Sequence, residues 1–472
     1  MKLLFAASEG APFIKTGGLG DVAYALPRAL SEREDMEVTV VLPYYAAVKN
    51  KFADEMKFVC NFGVPLSWRN AYCGVFRAQR DKVTYYFIDN EYYFLRSSAY
   101  GDFDDGERFA FFSKAILEML QHIGYYPDVI HLNDWQTALI PVFLKAHYGN
   151  LQPYQRIKTV FTIHNIEYQG KMPYTFCDEV LGLSAEYRQY LQYGDCLNFM
   201  VSAVKLADKV TTVSATYADE IKDAFFAHGL EHIMRDYSWK LSGIVNGIDM
   251  DSFDPETAKS IVNFSVNDMS GKAENKAALQ RDMNLPVRAE VPVIGMVTRL
   301  VSHKGLDLVE YIFDELMQRE VQVVLLGTGD RRFEDFFRFM QWKYPTKVAA
   351  NLKFDLALSN RIYASSDLFL KPSKSEPCGL AQMISMRFGT VPIVRETGGL
   401  KDTVIPYNQD NGTGRGFTFK TYNAHDMLAA IDRAITMFYN DKKNFANVQR
   451  NGMTSDFSWA ASAQKYVNLY MN

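Results

Sequence analysis

The fold is decided by residues 371–400, KPSKSEPCGLAQMISMRFGTVPIVRETGGL. An apolar run at 368–370, typical of the end of a buried strand, leads into a turn rich in proline, serine and glycine. Helical spacing over 380–388 then stops at Gly389, as it does at a C-cap glycine. A second buried strand is predicted at 391–394 and a second tight loop at 397–399. Because ligands bind at the loops that follow strand carboxyl ends in an open α/β sheet, this unit predicts a binding site.

The first of these loops contains one carboxylate, Glu376, directly before the predicted helix. The backbone N–H groups of Gly379, Leu380 and Ala381 should point outward there, with the positive end of the helix dipole. Such a helix start favours phosphate. An ordinary loop that only turns the chain is the alternative, and local physics leaves both open.

The same alternation of strands and helices runs through the chain. The predicted strands lie at 2–7, 37–42, 84–88, 129–132, 159–163, 209–213, 293–297, 321–326, 367–370 and 391–394. Helical patterns between them predict an α/β fold with mostly parallel, doubly wound sheets. At 472 residues the chain is too long for one typical core, so two domains are expected, joined near 243–255 where glycine, aspartate and proline cluster.

The bulk properties exclude several classes of protein. A formal net charge of −4 argues against a nucleic-acid partner. The five cysteines are scattered without CxxC spacing, which predicts a reducing compartment and no zinc site. No apolar run approaches the length of a membrane span, so we expect a cytoplasmic protein without a membrane partner.

Four motifs resemble those of the glycogen and starch synthases. E-P-C-G-L at 376–380 with T-G-G-L at 397–400 resembles the donor-site signature of that family, and K-T-G-G-L-G-D at 15–21 resembles its opening motif. R-L-x-x-x-K-G at 299–305 and H-N-x-x-Y-Q-G at 164–170 match two further motifs. The resemblance covers essentially the whole chain. It implies a GT-B glycosyltransferase, with two Rossmann-like domains facing a cleft.

The resemblance also implies a division of labour. Residues 1–243 would form the acceptor domain, with a C-terminal helix at 456–472 crossing back onto it, and residues 244–455 would bind the nucleotide-sugar donor. The activity implied is transfer of glucose from ADP-glucose to the non-reducing 4-hydroxyl of an α-1,4-glucan. Configuration would be retained through front-face departure and attack, without a covalent enzyme intermediate and without a cofactor.

Residue roles follow from the same resemblance. Glu376 would hold glucose hydroxyls or a developing charge. Arg299 and Lys304, with Lys15, would neutralise the diphosphate, because fixed cations stabilise the charge that grows as it leaves. His164 and Asp134 would position the sugar, with Tyr100 close to the glucose. The other donor-binding residues implied are Gly18, Asp21, Asn246, Phe354, Cys378, Gly379, Leu380 and Ala381.

Each of these residues also has a structural explanation. Arg299 and Lys304 could be solvated surface residues, His164 a structural histidine, and Asp134 the cap of a following helix. The chain also departs from the family pattern: Ala381 lacks the usual threonine hydroxyl, Ser375 replaces a commoner Phe or Thr, and Phe354 takes the place of a tyrosine beside the adenine. Phe354 keeps the stacking but lacks the hydroxyl, so base discrimination is the property that this last change affects.

Two other functions remain open on the residues alone. A glycoside hydrolase needs two carboxylates, which Asp134 and Glu376 could supply, but the three cations would then have no purpose. A non-catalytic sugar-binding protein would be expected to lose those cations. Asp102 and Asp104 resemble a metal-binding D-x-D pair, yet they lie in the polar loop DFDDGE, and we interpret them as a solvated acidic loop with no metal site.

Overall fold

A computed structural model describes residues 1–471, and the chain folds into two compact units. The first unit comprises Met1–Val213, Ala218–Ile244 and the residues from Trp459 onward; the second comprises Ser214–Tyr217 and Val245–Ser458. The C-terminal helix predicted from residue 456 begins at Trp459. The helix starts later than predicted because a turn precedes it, in which the Asp456 carboxylate accepts a hydrogen bond from the Ser458 N–H (2.9 Å).

The first unit is built on a nine-stranded sheet with the order β12-β11-β7-β6-β1-β2-β5-β4-β3, beside a small antiparallel sheet β8-β10-β9. Its strands are β1 Lys2–Ala6, β2 Glu37–Pro43, β3 Lys57–Leu66, β4 Arg69–Arg80, β5 Val83–Asp89, β6 Val129–Asn133, β7 Lys158–Ile163, β8 Lys171–Met172, β9 Gln192–Tyr193, β10 Cys196–Asn198, β11 Lys209–Thr212 and β12 Leu241–Gly243. From β12 to β5 the neighbours are parallel, whereas β4 pairs antiparallel with β3 and β5. The sequence missed β3, of which only the second half alternates between solvent and core, and β4, in which exposed and buried residues are mixed.

The helices that accompany this sheet follow the apolar periodicity of the sequence. They are α1 Gly18–Ser31, α2 Ala46–Phe52, α3 Glu91–Phe94, α4 Asp105–Ile123, α5 Ile140–Phe143, α6 Ala185–Leu191, α7 Phe199–Leu206, α8 Ala215–Glu220, of which the residues up to Tyr217 count with the second unit, and α9 Glu231–Asp236. In α1 the residues at helical spacing, Leu19, Val22, Leu26 and Leu30, are buried as predicted. The loop between β1 and α1 therefore holds residues 15–17 at the carboxyl end of a central strand.

The second unit is a wholly parallel sheet of six strands with the order β15-β14-β13-β16-β17-β18. Its strands are β13 Val293–Val297, β14 Gln322–Leu326, β15 Val348–Asn351, β16 Leu368–Lys371, β17 Val391–Arg395 and β18 Phe417–Phe419. Its helices are α10 Ser270–Asp282, α11 Leu306–Leu316, α12 Arg331–Lys343, α13 Leu356–Ser365, α14 Ala381–Arg387, α15 Gly398–Thr403, α16 Ala424–Asn440 and α17 Lys442–Met453. The remaining helix, α18 Trp459–Met471, belongs to the first unit.

Two local predictions around residues 371–400 need correction. The predicted helix at 380–388 is the seven-residue α14, so fewer peptide dipoles are aligned along it than expected. The predicted tight loop at 397–399 is instead the start of α15, which begins at Gly398. A Cβ on Gly398 would lie 2.0 Å from the Glu376 carbonyl oxygen, so glycine allows this helix to start directly against the loop of Glu376.

Candidate functional site

The loops after β13 and β16 bring Lys304 and Glu376 together in the second unit. The Lys304 ammonium donates to Oε2 of Glu376 over 2.9 Å, and the Ser373 hydroxyl donates to the same oxygen over 2.9 Å. A second ammonium, that of Lys371, lies 3.2 Å from this oxygen. All four side chains are shielded from solvent, Glu376 almost completely. One carboxylate is thus held between two buried cations and a hydroxyl.

Glycines and backbone hydrogen bonds fix these two loops against each other. Gly305 adopts φ +75°, and a Cβ there would lie 2.1 Å from the Pro372 carbonyl oxygen. The Lys374 N–H donates to the His303 carbonyl over 2.9 Å, and the Gly399 N–H donates to the Glu376 carbonyl over 3.1 Å. The position of Lys304 relative to Glu376 is therefore set by the backbone as well as by the ion pair.

The cations decide the charge state of Glu376. Burial by itself would raise the pKa of this carboxyl, but the ammonium groups of Lys304 and Lys371 outweigh it and hold the pKa well below its usual range. Glu376 is consequently a carboxylate at any working pH. It can accept hydrogen bonds or stabilise positive charge, but it cannot donate a proton.

The other residues predicted in this unit lie at different depths. Arg299 and Phe354 are exposed, and Phe354 shows 84% of its side chain to solvent. Asn246 and Cys378 are buried, and the Asn246 Oδ1 has no hydrogen-bond partner among the described residues. Burial raises the pKa of the Cys378 thiol to about 12, so this cysteine stays protonated and unreactive. Gly379, Leu380 and Ala381 are partly buried.

In the first unit, the loop that ends at residue 17 and the first turn of α1 after it are organised by Glu9, which the sequence did not single out. Its buried carboxylate accepts hydrogen bonds from the N–H of Thr16 (2.5 Å), Gly17 (3.3 Å) and Gly20 (3.2 Å), and from the Thr16 hydroxyl (2.6 Å). A carboxylate that gathers several backbone N–H groups is a strong local anchor. The feature of the sequence that indicates this role is an acidic residue between a buried strand and a glycine-rich loop.

The predicted donor residues of that loop face solvent. Lys15 donates to the Asp21 carboxylate over 2.7 Å, with 50% and 37% of the two side chains exposed. Gly18 is exposed, and a Cβ placed on it would meet no atom within 4 Å. This surface is open to a ligand.

Asp134 and His164 lie together at the carboxyl ends of β6 and β7. Oδ1 of Asp134 accepts a hydrogen bond from the His164 N–H over 2.8 Å. The Asp134 side chain makes no capping hydrogen bond to the helical turn that follows it, so the capping alternative is wrong. Its φ of +56° is uncommon for a residue other than glycine and is held by the surrounding structure. Burial raises the pKa of the Asp134 carboxyl to about 7, although hydrogen bonds from the backbone of His164 and Asn165 oppose the change.

His164 is a neutral imidazole with an assignable proton. Burial lowers the pKa of His164 to about 3. The Asn133 amide nitrogen donates to the Ala6 carbonyl (3.0 Å), so the Asn133 oxygen faces His164 Nε2 at 2.9 Å. Nε2 therefore carries the proton, and Nδ1 is the atom that can accept one.

Tyr100 and the acidic loop beyond it are more ordered than predicted. The Tyr100 hydroxyl lies 2.8 Å from the Ser8 hydroxyl, and burial holds its pKa well above the usual value. Asp104 binds both terminal nitrogens of Arg96 (2.5 and 2.6 Å), and Asp102 accepts from the buried Arg108 (3.0 Å). The interpretation of a solvated acidic loop is thus wrong, since these carboxylates are paired with arginines.

Residues 1–471 contain no group of three or more His, Cys, Asp and Glu side chains placed to hold a metal ion. None of the helices over the same residues is long and apolar enough to cross a bilayer.

Comparison with known proteins identifies the family. Residues 2–236 match the starch synthase catalytic domain, and residues 282–451 match glycosyl transferases group 1. The chain is 48% identical to a glycogen synthase of Clostridium novyi and 50% identical to one of Streptococcus mutans, covering 100% of this chain and 99% of each relative.

Solved structures agree with these sequences. The catalytic domain of starch synthase IV from Arabidopsis thaliana, bound to ADP and acarbose, matches with a TM-score of 0.88 and 34% identity over 100% of this chain and 98% of that one. Sucrose-phosphate synthase from Thermosynechococcus elongatus shares the fold, with a TM-score of 0.61 and 16% identity over 100% and 98% of the two chains. The predicted GT-B fold and synthase function are confirmed, and the chain belongs to the glycogen and starch synthase family of glycosyltransferases.

Proposed function

We propose that the chain transfers glucose from ADP-glucose to the non-reducing 4-hydroxyl of an α-1,4-glucan, with retention of configuration, in the cytoplasm. The observation that carries the chemistry is the buried Glu376 carboxylate fixed between cations. The adenine donor is supported by the starch synthase IV domain, which binds ADP. The glucan acceptor is supported by the glycogen synthases among the relatives.

The reaction breaks the bond between glucose C1 and the diphosphate oxygen and forms a bond between C1 and the acceptor 4-oxygen. The hydroxyl proton passes to the departing diphosphate, so ADP and a glucan one residue longer are the products. Attack from the face that ADP leaves retains the configuration and needs no covalent enzyme intermediate. The enzyme's task is then to stabilise positive charge near C1 and negative charge on ADP.

Residues of the second unit suit both tasks. Lys304 and Arg299 would stabilise the leaving diphosphate. One such contact can lower the free energy of the transition state by about 3 kcal/mol, which is roughly 100-fold in rate. Because Lys304 and Ser373 both donate to Oε2 of Glu376, we assign Oε1 to a glucose hydroxyl or to the charge at C1. Phe354 would stack on the adenine, while Asn246 and the backbone of residues 378–381 would contact the donor.

Residues of the first unit would complete the recognition. Lys15 at the end of a loop, with Gly18 and Asp21 in the first turn of α1, forms an accessible surface that would bind the nucleotide part of the donor. Neutral His164, with Nδ1 as an acceptor, suits a sugar hydroxyl better than a phosphate. Asp134 and Tyr100 would hold the sugar beside it.

A donor panel tests the proposal. ADP-, UDP- and GDP-glucose are compared with glycogen as acceptor, and the new linkage is examined by its anomeric proton signal. ADP-glucose should give the highest kcat/KM, and the linkage should be α. An equal or higher kcat/KM with UDP-glucose would overturn the donor assignment, and a β linkage would overturn retention.

A further inference from the structure

The buried lysine at the end of β16 has no role in the chemistry described so far. Lys371 exposes only 9% of its side chain, and its ammonium lies 3.2 Å from Glu376 Oε2, the oxygen that also receives Lys304. Burial and the nearby Lys304 charge lower the pKa of Lys371, and the Glu376 carboxylate opposes that change. A second buried cation on one carboxylate is costly to desolvate and calls for an explanation.

The reaction creates a need for that second cation. In the structure Lys304 is committed to Glu376 at 2.9 Å. When it stabilises a leaving diphosphate, its charge is shared with phosphate oxygens and its bond to Glu376 weakens. A buried carboxylate that loses its cation would either protonate or shift. Lys371 contacts the same oxygen but extends from the end of a different strand. It therefore keeps its contact with Glu376 when Lys304 moves to the diphosphate.

We propose that Lys371 is a positioning residue: it keeps Glu376 ionised and oriented while Lys304 serves the diphosphate. This inference rests on the proposed glucosyl transfer. Two ammonium groups and one carboxylate carry a net charge of +1 before the donor arrives. The anionic donor can then engage Lys304 without leaving Glu376 unpaired.

The proposal implies a pH dependence that is judged as the difference between variant and wild type, because Asp134, whose pKa burial raises to about 7, titrates in both. Lys304, Lys371 and the hydroxyl of Ser373 face Glu376, and the Cys378 thiol beside it is protonated up to high pH. Arg395, always charged, donates to the Ser373 carbonyl over 3.0 Å. Removal of Lys371 takes away one of the two cations that oppose burial, so the pKa of Glu376 should rise. Turnover needs the ionised form and should therefore fail at a higher pH than in the wild type.

The test compares Lys371→Met and Lys371→Arg with a matched control, Lys374→Met, in the same loop but exposed. kcat and KM are measured from pH 4.5 to 9 with whichever nucleotide-glucose the wild type uses best. A wild type inactive on ADP-glucose thus contradicts the proposed donor without deciding the role of Lys371. Thermal unfolding of each variant is measured alongside.

We expect Lys371→Met to lower kcat by about 10-fold or more, with KM for the donor changed by less than about 3-fold, since the lost interaction acts through Glu376. An acid limb of kcat that the wild type lacks should appear inside this pH range, because Glu376 then has neither cation beside it while Lys304 serves the diphosphate. Lys371→Arg should restore most of kcat, and Lys374→Met should behave as wild type.

Wild-type kcat and pH profile in Lys371→Met would overturn the proposal. A loss of kcat without the new acid limb, or without rescue by arginine, would overturn it as well. Should Lys371→Met not fold, Lys371→Gln is judged by the same outcomes.

Discussion

Each unit holds a lysine–carboxylate pair beyond the carboxyl ends of its strands, and the two pairs differ in environment rather than in distance. Lys15 and Asp21 lie 2.7 Å apart with much of both side chains in water, whereas Lys304 and Glu376 lie 2.9 Å apart with 13% and 8% exposed. An exposed pair contributes about 0–1 kcal/mol and exchanges partners readily. A buried pair is costly to form and strongly destabilising to break. The first pair is suited to open for a ligand, and the second is suited to hold a charge in place.

The largest expected effect comes from the buried pair. Lys304→Ala should lower kcat by about 100-fold or more, because the lost charge meets the diphosphate as it leaves. Steady-state kinetics on protein shown to be folded by circular dichroism measures it, with the surface variant Arg338→Ala as control. Wild-type turnover in folded Lys304→Ala would remove the functional distinction between the two pairs.

A second prediction concerns Glu9, the buried anchor of the otherwise exposed loop. Glu9→Gln places an amide nitrogen against backbone N–H donors, and a hydrogen bond to a charged group contributes about 1.5–3 kcal/mol. We therefore expect the donor KM to rise about 10-fold and the melting temperature to fall. Glu34→Gln, on an exposed residue of the same unit, should change neither. An unaltered KM and melting temperature in Glu9→Gln would mean that the loop is ordered without its anchor.

The third prediction concerns the stability of the first unit as a function of pH. The pKa of Asp134 is raised in the folded chain to about 7, so the folded state binds the proton more tightly than the unfolded state does. The contribution of this group to the free energy of unfolding is therefore present below the unfolded pKa and is lost as pH rises toward and through 7. Asp134→Asn cannot ionise and should lack this loss. The difference in unfolding free energy between variant and wild type, measured in denaturant at pH 5, 7 and 9, should shift in favour of the variant as pH rises. A difference that is the same at all three values contradicts the raised pKa.

The smallest effect is expected at the exposed pair. In the free enzyme, a double-mutant cycle of Lys15→Ala and Asp21→Asn should give a coupling energy below about 1 kcal/mol that falls further with added salt. A coupling of several kcal/mol, insensitive to salt, would show that this pair resembles the buried one after all.

The parts of the fold that the sequence predicted are those whose pattern is local. Val293–Val297 was predicted to the residue, because a buried parallel strand is a continuous apolar run. The strand Lys57–Leu66 was missed, because an edge strand with one face in water mixes polar and apolar residues without a clear run. The sequence predicts a turn at Gly398, because sequence alone does not show that a Cβ at this position would lie 2.0 Å from a carbonyl oxygen.

The candidate site divides in the same way. Lys304 and Glu376 stood in recognisable motifs, and the structure pairs them. Lys371 and Glu9 did not, because their importance depends on burial and on partners that only the folded chain brings near. Asp102 and Asp104 were misread for the same reason: Arg96 and Arg108, their partners, belong to other turns of the chain.

The helix Trp459–Met471 has a consequence for how the protein is made. It belongs to the first unit, and its Tyr470 hydroxyl lies 2.7 Å from Nδ1 of the fully buried His131. During synthesis, His131 must wait until Tyr470, 339 residues further along the chain, has been translated before it gains this partner. The first unit cannot be finished on the ribosome ahead of the second, and a chain that stops before this helix would leave a polar group unpaired in a core made hundreds of residues earlier.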